Sequence, residues 1–476
     1  MIPIVGATML EFLGQRYKHC DGLTRRNFMN VGAIGLSTFS LANILRAESQ
    51  HEIGSSQKAI INIHLDGGPP QMDTIDLKPD APMEIRGEFR PISTRIPGFH
   101  VCELMPRLAS IADRFAFVRS LVGADGKHDA FQCMSGFKTK NLQSLGGRPA
   151  MGCVLTKLLG APSDATPTFV DLMQGRPLVR NSARPGFLGP SFTPFRPDIS
   201  KVFPRELEEG MKLELASLGS QHTTSLKLDA ALDAKRLENR ATLLDGLDRV
   251  KRQLDGSGAM DAMDRFHQQA ANILTSSRFA DALDLSRVPE RELARYTAPD
   301  PGGQRFYTAD DNRATRKLLL ARRLVEAGVR CVSVSLGDFD THAKNFPRMK
   351  YALPILDFGL HALITDLEER GMLDDVTVIA WGEFGRSPTI NKEGGRDHWP
   401  QVGPAILAGG GMRVGQVIGS TDRTASRATS RPVSYQDIFA TLYHNLGIDP
   451  HRVTINDPTG RPQYLLDGGH ALSELT

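Results

Sequence analysis

Acids and histidines gather in four short stretches of the chain. Asp66 precedes Gly67-Gly68. Asp338, Asp340 and His342 sit within Gly337-Asp338-Phe339-Asp340-Thr341-His342. Glu383 and Arg386 share Gly382-Glu383-Phe384-Gly385-Arg386, and Asp397 and His398 share Gly395-Arg396-Asp397-His398-Trp399-Pro400. Carboxylates and imidazoles without thiolates suit Zn²⁺ or Mn²⁺, with Ca²⁺ or Mg²⁺ as alternatives. Each stretch also has an ordinary structural use. Asp66 before two glycines shapes a turn. Asp340 or Thr341 can cap a following helix. Glu383 with Arg386 can be an internal ion pair, and Asp397 can orient His398 through a hydrogen bond. Arg386 and Arg119 are candidates for gripping an anionic group, with plain structural roles as the alternative. Trp399 is either a sugar platform or a core tryptophan. His64, His100 and His444 read as structural.

These groups matter together because of what precedes them. Ala59 to Leu65 (AIINIHL) reads as a buried strand ending at Asp66. Arg330 to Leu336 (RCVSVSL) reads as a strand ending at the Asp338–His342 stretch. Val376 to Trp381 reads as a strand ending at Glu383. Phe115 to Arg119, Thr168 to Leu172 and Pro404 to Ala408 are further apolar runs. Helices Thr315 to Ala327 and Tyr351 to Arg370 lie between strands. The alternation implies an α/β fold with a mostly parallel central sheet sandwiched by helices. In such sheets, ligands bind beyond the carboxyl ends of the strands, where neighbouring ends converge.

The remaining segments bound the class of protein. The region from about Arg205 to Tyr296 repeats apolar residues every three or four positions, as in LKLDAALDAKRLENRATLLDGLDRVKRQLDG. It predicts a helical insertion, and the Pro/Gly-rich 297–313 a loop. The chain has 476 residues and a formal net charge of +3, with no basic stripe interleaved with aromatics. Nucleic acid is therefore excluded as the expected partner. Its five cysteines form no close pairs; one or two disulfides stay open, and a zinc knuckle does not fit. Near the N-terminus, Thr24-Arg25-Arg26-Asn27-Phe28-Met29 precedes Val31 to Leu45, a run without charge. This is the pattern of a twin-arginine export signal, and the run is short for a membrane span. Ser40-Leu41-Ala42 and Leu45-Arg46-Ala47 are both imperfect cleavage sites, so a cut signal and an uncleaved anchor both stay open. The expected organisation is signal and linker over 1–50 and an α/β domain over 55–476.

LDGGPPQMDTIDLKPD, GDFDTHAKNF, WGEFGRSPTINKEGGRDHWP and DIFATLYHNLGI resemble a family of secreted bacterial proteins, domain-of-unknown-function family 1501. The likeness spans roughly residues 55 to 450. That family is in turn similar to the alkaline phosphatase and sulfatase superfamily. The resemblance matches the superfamily's first-strand aspartate to Asp66. It matches the Asp-x-x-x-His metal pair to Asp338 and His342, with Asp340 an equal candidate for the acid. The strand-end acid matches Glu383, and the last histidine matches His398. Phe384 stands where the superfamily places another histidine, which removes one ligand of a two-metal site. A second departure concerns the nucleophile. The superfamily attacks with Ser, Thr or a formylglycine-forming Cys shortly before a small-Gly pair. Ser135-Gly136 looks like that pair, but counting back gives Asp125-Gly126-Lys127-His128. His128 then becomes base, acid or ligand, and a metal-bound water or an unidentified nucleophile replaces the hydroxyl. Ser120 and Cys133 are the nearest alternatives, both off register, and Cys133 is not in a formylglycine context.

The resulting expectation is an exported, metal-dependent hydrolase-like protein. Its candidate ligands are Asp66, Asp338, Asp340, His342, Glu383, Asp397 and His398, with His128 and Arg386 as catalytic candidates. It would act on phosphate or sulfate esters, of carbohydrates among others, and meet the twin-arginine translocase during export to the periplasm or beyond. The rival expectation is a non-catalytic binding or cell-envelope protein on the same scaffold.

Overall fold

Ala59–Leu65 is buried at every position. A strand with no exposed residue needs partners on both edges, because buried backbone groups must be hydrogen-bonded. The computed structural model describes residues 58–142, 146–161, 164–180, 183–218, 276–303 and 305–476. Within them one sheet contains β1 (Ala59–Leu65), β2 (Phe115–Val122), β3 (Phe169–Leu172), β4 (Cys331–Leu336), β5 (Val376–Trp381), β6 (Gly403–Gly409), β7 (Gln416–Ile418) and β8 (Val433–Ser434). The order is β7-β2-β6-β5-β1-β4-β3, with β8 beside the end of β2. β6 is antiparallel to both neighbours, and every other pairing is parallel. The sheet is thus mostly parallel, as its strand patterns imply.

Helices cover both faces. Alternation along the strands sends Ile61, Ile63, Leu65, Val332, Val334, Val378 and Ala380 into one core. There they meet α3 (Arg316–Glu326) and α4 (Asn345–Glu369). Ile60, Cys331, Ile379, Trp381 and Leu407 enter the other core. They meet α1 (Phe131–Ser135), α2 (Met151–Leu159) and α5 (Tyr435–Asn445). Two-sided burial of this kind is why the parallel strands are mostly apolar, with no regular alternation of exposed polar residues. The Trp381 indole donates to Asn62 Oδ1 at 2.8 Å, and Asn62 Nδ2 donates to the Cys133 carbonyl at 2.8 Å, so these buried polar groups are satisfied.

α4 begins six residues before the expected Tyr351. Pro347 falls in its first turn, where the missing N–H has no acceptor to lose. Pro354 lies within the helix and leaves one carbonyl without its usual donor. β2 runs three residues beyond the expected Arg119. α5 is started by a reciprocal Ser434–Asp437 capping box. The expected helical insertion is described only at its ends, by the helices Glu209–Leu218, Ser277–Leu283 and Glu290–Arg295. Its middle, 219–275, and the whole twin-arginine segment lie outside the described residues. Cys102, Cys133, Cys153 and Cys331 are all buried free thiols, so no disulfide forms among them. No described helix is long and apolar enough to cross a membrane.

One contact across the α4 layer is pH-sensitive. Asp357 is 3% exposed and accepts the N–H groups of Arg107 (3.1 Å) and Leu108 (2.7 Å) in the short helix Pro106–Ser110. Burial pushes its carboxyl up to about 6 against the pull of those two N–H groups. The folded chain therefore keeps a proton that the unfolded chain releases near pH 4. This contribution to stability is full below about pH 4 and is lost as the pH rises through about 6. The stability of wild type minus that of Asp357→Asn is expected to fall by about 2–3 kcal/mol between pH 4 and pH 7. Urea denaturation at the two pH values measures it, and a difference that does not change with pH contradicts the assignment.

Candidate metal centre

β1, β4 and β5 lie side by side and run in one direction, so their carboxyl ends meet at one edge. Register places Leu65 opposite Leu336 and His64 opposite Trp381. Asp66 therefore emerges level with the Gly337 and Glu383 turns. The segments cross in contact at Gly67 (φ +101°), where a Cβ would sit 2.3 Å from the Asp340 backbone nitrogen. Only glycine fits that approach and that conformation. Gly395 likewise lies against the backbone of His342, and a Cβ there would be 2.0 Å from its carbonyl oxygen.

Two groups of donors result. In one, His128, Asp340, His342 and His398 each present an atom within 4.8 Å of the others. In the second, His64, Asp66 and Glu383 do the same. His342 Nε2 lies 2.9 Å from His398 Nε2 and 3.2 Å from Asp340 Oδ1; His398 Nε2 is 3.7 Å from the same oxygen. The far side of each ring is held. His342 Nδ1 is 2.9 Å from Asp397 Oδ1, and His398 Nδ1 is 3.1 Å from the Gly126 carbonyl. A carboxylate and a carbonyl only accept, so both Nδ1 atoms carry the proton. In the neutral rings both Nε2 atoms then turn bare lone pairs toward each other. Only a proton or a metal cation between them converts that repulsion into attraction, and Asp340 supplies a third donor for the cation. Imidazoles anchored through Nδ1 by oxygen acceptors are the usual support of metal-binding histidines. The donor set thus fits a divalent ion. The group is reachable, with the His342 side chain 48% exposed.

His128 joins the two groups. Its Nδ1 is 2.9 Å from Glu383 Oε1, and its Nε2 is 3.2 Å from Asp340 Oδ2. Both nitrogens face acceptors, so both donate. Burial disfavours the charged ring, but the bonds to Asp340 and Glu383 outweigh it and raise its pKa. Burial likewise pushes Asp340 up, and His128, His398 and Arg386 hold it far below the usual carboxylate range. Glu383 is also held low against burial, by His128 and His64; its Oε1 additionally accepts the Gly67 N–H at 3.1 Å.

Several residues stand elsewhere than their sequence positions imply. Asp338 is outside both groups. It accepts from Thr308 Oγ1 at 2.7 Å and pairs with Arg348, while burial raises its pKa. Of the two candidate acids, Asp340 is the one brought to His342. Asp397 backs His342, not His398, and does not face the donor groups. Arg386 is fully buried and has no hand free for an anion. Its Nε donates to Gly68 O (3.2 Å), its Nη1 to Arg396 O (2.9 Å), and its Nη2 to Gly67 O and Asp340 Oδ1 (2.7 Å). It ties the β1 turn to the Asp340 loop. Arg119 lies 3.4 Å from Asp76, away from the donor groups. The Ser120 hydroxyl is buried and donates to Arg431 O at 2.6 Å. Burial holds the Cys133 thiol well above its ordinary pKa. Trp399 is half-buried, with its indole N–H on Ser426 O at 2.6 Å. His64, read as structural, belongs to the second group; its position two residues before Asp66 on the same strand face was the available signal. His100 and His444 are exposed and stand outside both groups.

Two arginines escaped the sequence reading altogether. Arg205 Nη2 is 2.6 Å from Asp66 Oδ2. Arg176 Nη2 is 2.9 Å from Asp340 Oδ2, and its Nη1 is 3.8 Å from Asp66 Oδ1. Arg176 stands four residues beyond Leu172, the end of β3, which runs parallel to β4, but no acid or histidine marks that turn; Arg205 lies in irregular chain between β3 and β4, where no local pattern marks it.

Among curated proteins, no sequence relative matches. Solved structures similar to the chain include the lipoteichoic acid synthase LtaP from Listeria monocytogenes, at 12% identity and a TM-score of 0.33, covering 83% of this chain and 73% of that one. The phosphonate monoester hydrolase of Agrobacterium radiobacter is another, at 13% identity and a TM-score of 0.32, covering 88% and 77%. The sequence profile described as "Protein of unknown function (DUF1501)" matches residues 57–476, and the chain belongs to that family.

Proposed function

We propose that this is an exported metal-dependent hydrolase-like protein acting on phosphate or sulfate esters, with carbohydrate esters among them. The carrying observation is the facing pair of imidazole nitrogens of His342 and His398 beside Asp340, with both Nδ1 atoms held by oxygen acceptors. These three residues would hold the ion, Zn²⁺ or Mn²⁺ by donor type. When bound, it would supply Lewis acidity toward an ester oxygen and toward water. His128 is the proton-bearing group next to it, donating at both nitrogens. Arg176, 9% exposed at its side chain, brings positive charge to the same edge and suits an anionic ester. The Arg25-Arg26 segment supports export of a protein already folded around its ion.

One observation favours the binding-protein reading. Ser120 and Cys133, the sequence's nearest nucleophiles, are buried in other contacts. Aryl phosphate and aryl sulfate esters separate the readings. Turnover that EDTA abolishes and Zn²⁺ or Mn²⁺ restores is expected. Bound metal without turnover of either ester class would decide for binding, and turnover untouched by EDTA would remove the metal from the reaction.

A further inference from the structure

His342 and His398 come from loops 56 residues apart, yet their Nε2 atoms face each other at 2.9 Å. Backbone bonds strap the two loops together. The Arg396 N–H donates to Thr341 O at 2.8 Å, the Asn345 N–H to Gly394 O at 2.9 Å and the Lys344 N–H to Glu393 O at 3.1 Å. These bonds fix main chain, not rings. The His342 ring is set by Asp397, whose Oδ1 meets Nδ1 at 2.9 Å from a side chain that is 57% exposed. A carboxylate so exposed has room to turn to water unless something holds it. Asn391 does. Its Nδ2 donates to Asp397 Oδ1 at 3.2 Å and to the His342 carbonyl at 2.9 Å. Its Oδ1 accepts the N–H groups of Glu393 (3.0 Å) and Gly395 (2.9 Å). With two donors facing one end of the amide and two acceptors the other, only one orientation satisfies it. The contacts close a circuit, from the His342 carbonyl through Asn391 and Asp397 back to the His342 ring.

We propose that Asn391 is a positioning residue of the metal centre: by holding the Asp397 carboxylate against Nδ1, it keeps the His342 Nε2 lone pair aimed at the ion. This rests on the metal centre proposed above. An acceptor behind a ligating imidazole fixes the ring's tautomer and direction. Without the amide, the Asp397 side chain must give up its own rotamer freedom to provide that support. The bond from His342 and, against slight burial, that from Asn391 hold the Asp397 carboxyl below its usual pKa, so the support stays anionic. The two ends of Asn391 do separable work. The oxygen shapes the 391–395 turn, and the nitrogen serves the histidine.

Equilibrium dialysis of the full-length chain with Zn²⁺, and separately with Mn²⁺, tests this on wild type, Asn391→Ser, Asp397→Ala and the double variant. A serine hydroxyl can still accept the N–H two residues on and keep the turn, but it is too short to reach Asp397. Asn391→Ser is expected to weaken the ion's Kd by about three- to tenfold, less than the loss of an acceptor that touches the ring itself. In the Asp397→Ala background the same substitution is expected to cost less than about twofold, since no carboxylate is left to hold. A change below about twofold in Asn391→Ser alone would overturn the inference. So would an equal loss in both backgrounds, which marks a turn merely loosened. Should Asn391→Ser not fold, Asn391→Thr, with the same hydroxyl, takes its place. Neither ion on the wild type would overturn the metal centre itself, which keeps the two failures distinct.

Discussion

The His342→Ala, His398→Ala double variant is expected to bind no Zn²⁺ or Mn²⁺ while remaining folded. Alanine at both positions removes the two nitrogens whose lone pairs face each other at 2.9 Å. Asp340 alone remains, already occupied by Arg386 and Arg176. A single carboxylate shared with two guanidiniums is a poor ligand set for either ion. Stability should change little, because the His342 and His398 side chains are 48% and 26% exposed and neither lies in the two apolar cores. The graded companion is Asp397→Asn. The amide keeps the size but replaces an anionic acceptor behind His342 Nδ1. Loss of such a supporting acceptor costs roughly 10–100-fold in metal affinity. Equilibrium dialysis with metal analysis reads both effects. Full metal content in the folded double variant would place the ion elsewhere.

Arg386→Met is expected to lower the unfolding free energy by about 3–5 kcal/mol, the cost typical of breaking a buried ion pair from one side. The size of the effect follows from what the guanidinium holds. Gly67 O, Gly68 O and Arg396 O would lose their donor, and Asp340 would lose a charge partner at 2.7 Å. Arg386→Lys is not expected to rescue this, because one ammonium cannot span acceptors arranged around a planar fork. The loss should also weaken metal binding, since Asp340 would no longer be fixed beside His342. Urea unfolding monitored by fluorescence checks the first effect. A change below about 1 kcal/mol would show that the arginine is dispensable to the turn.

Much of the frame was written locally. The mostly apolar runs of β1 and β5, broken only by Asn62, His64 and Thr377, mark buried strands, because a strand covered on both faces has no solvent side to alternate with. Their ends coincide with the expected Leu65 and Trp381, and the acids that follow them sit at the sheet's carboxyl edge for that reason. Boundaries slipped where a local signal misled. The proline-bearing start of α4 hides the fact that a first-turn proline loses no hydrogen bond.

Which acid stands beside which histidine was not legible. Asp338 and Asp340 are two residues apart in an irregular loop, so periodicity does not assign them to a face. Packing does: Thr308 and Arg348 engage Asp338, and the close pass of Gly67 fixes the Asp340 backbone. The twin-arginine pattern, the run of strands and the four acid- and histidine-bearing stretches are thus properties of the amino-acid sequence, since each depends on neighbours a few residues away. The pairing of His342 with His398, 56 residues apart, and the arrival of Arg205 at Asp66, 139 residues apart, belong to the tertiary structure. Those contacts depend on how the sheet and its loops close in space, and no local spacing encodes them.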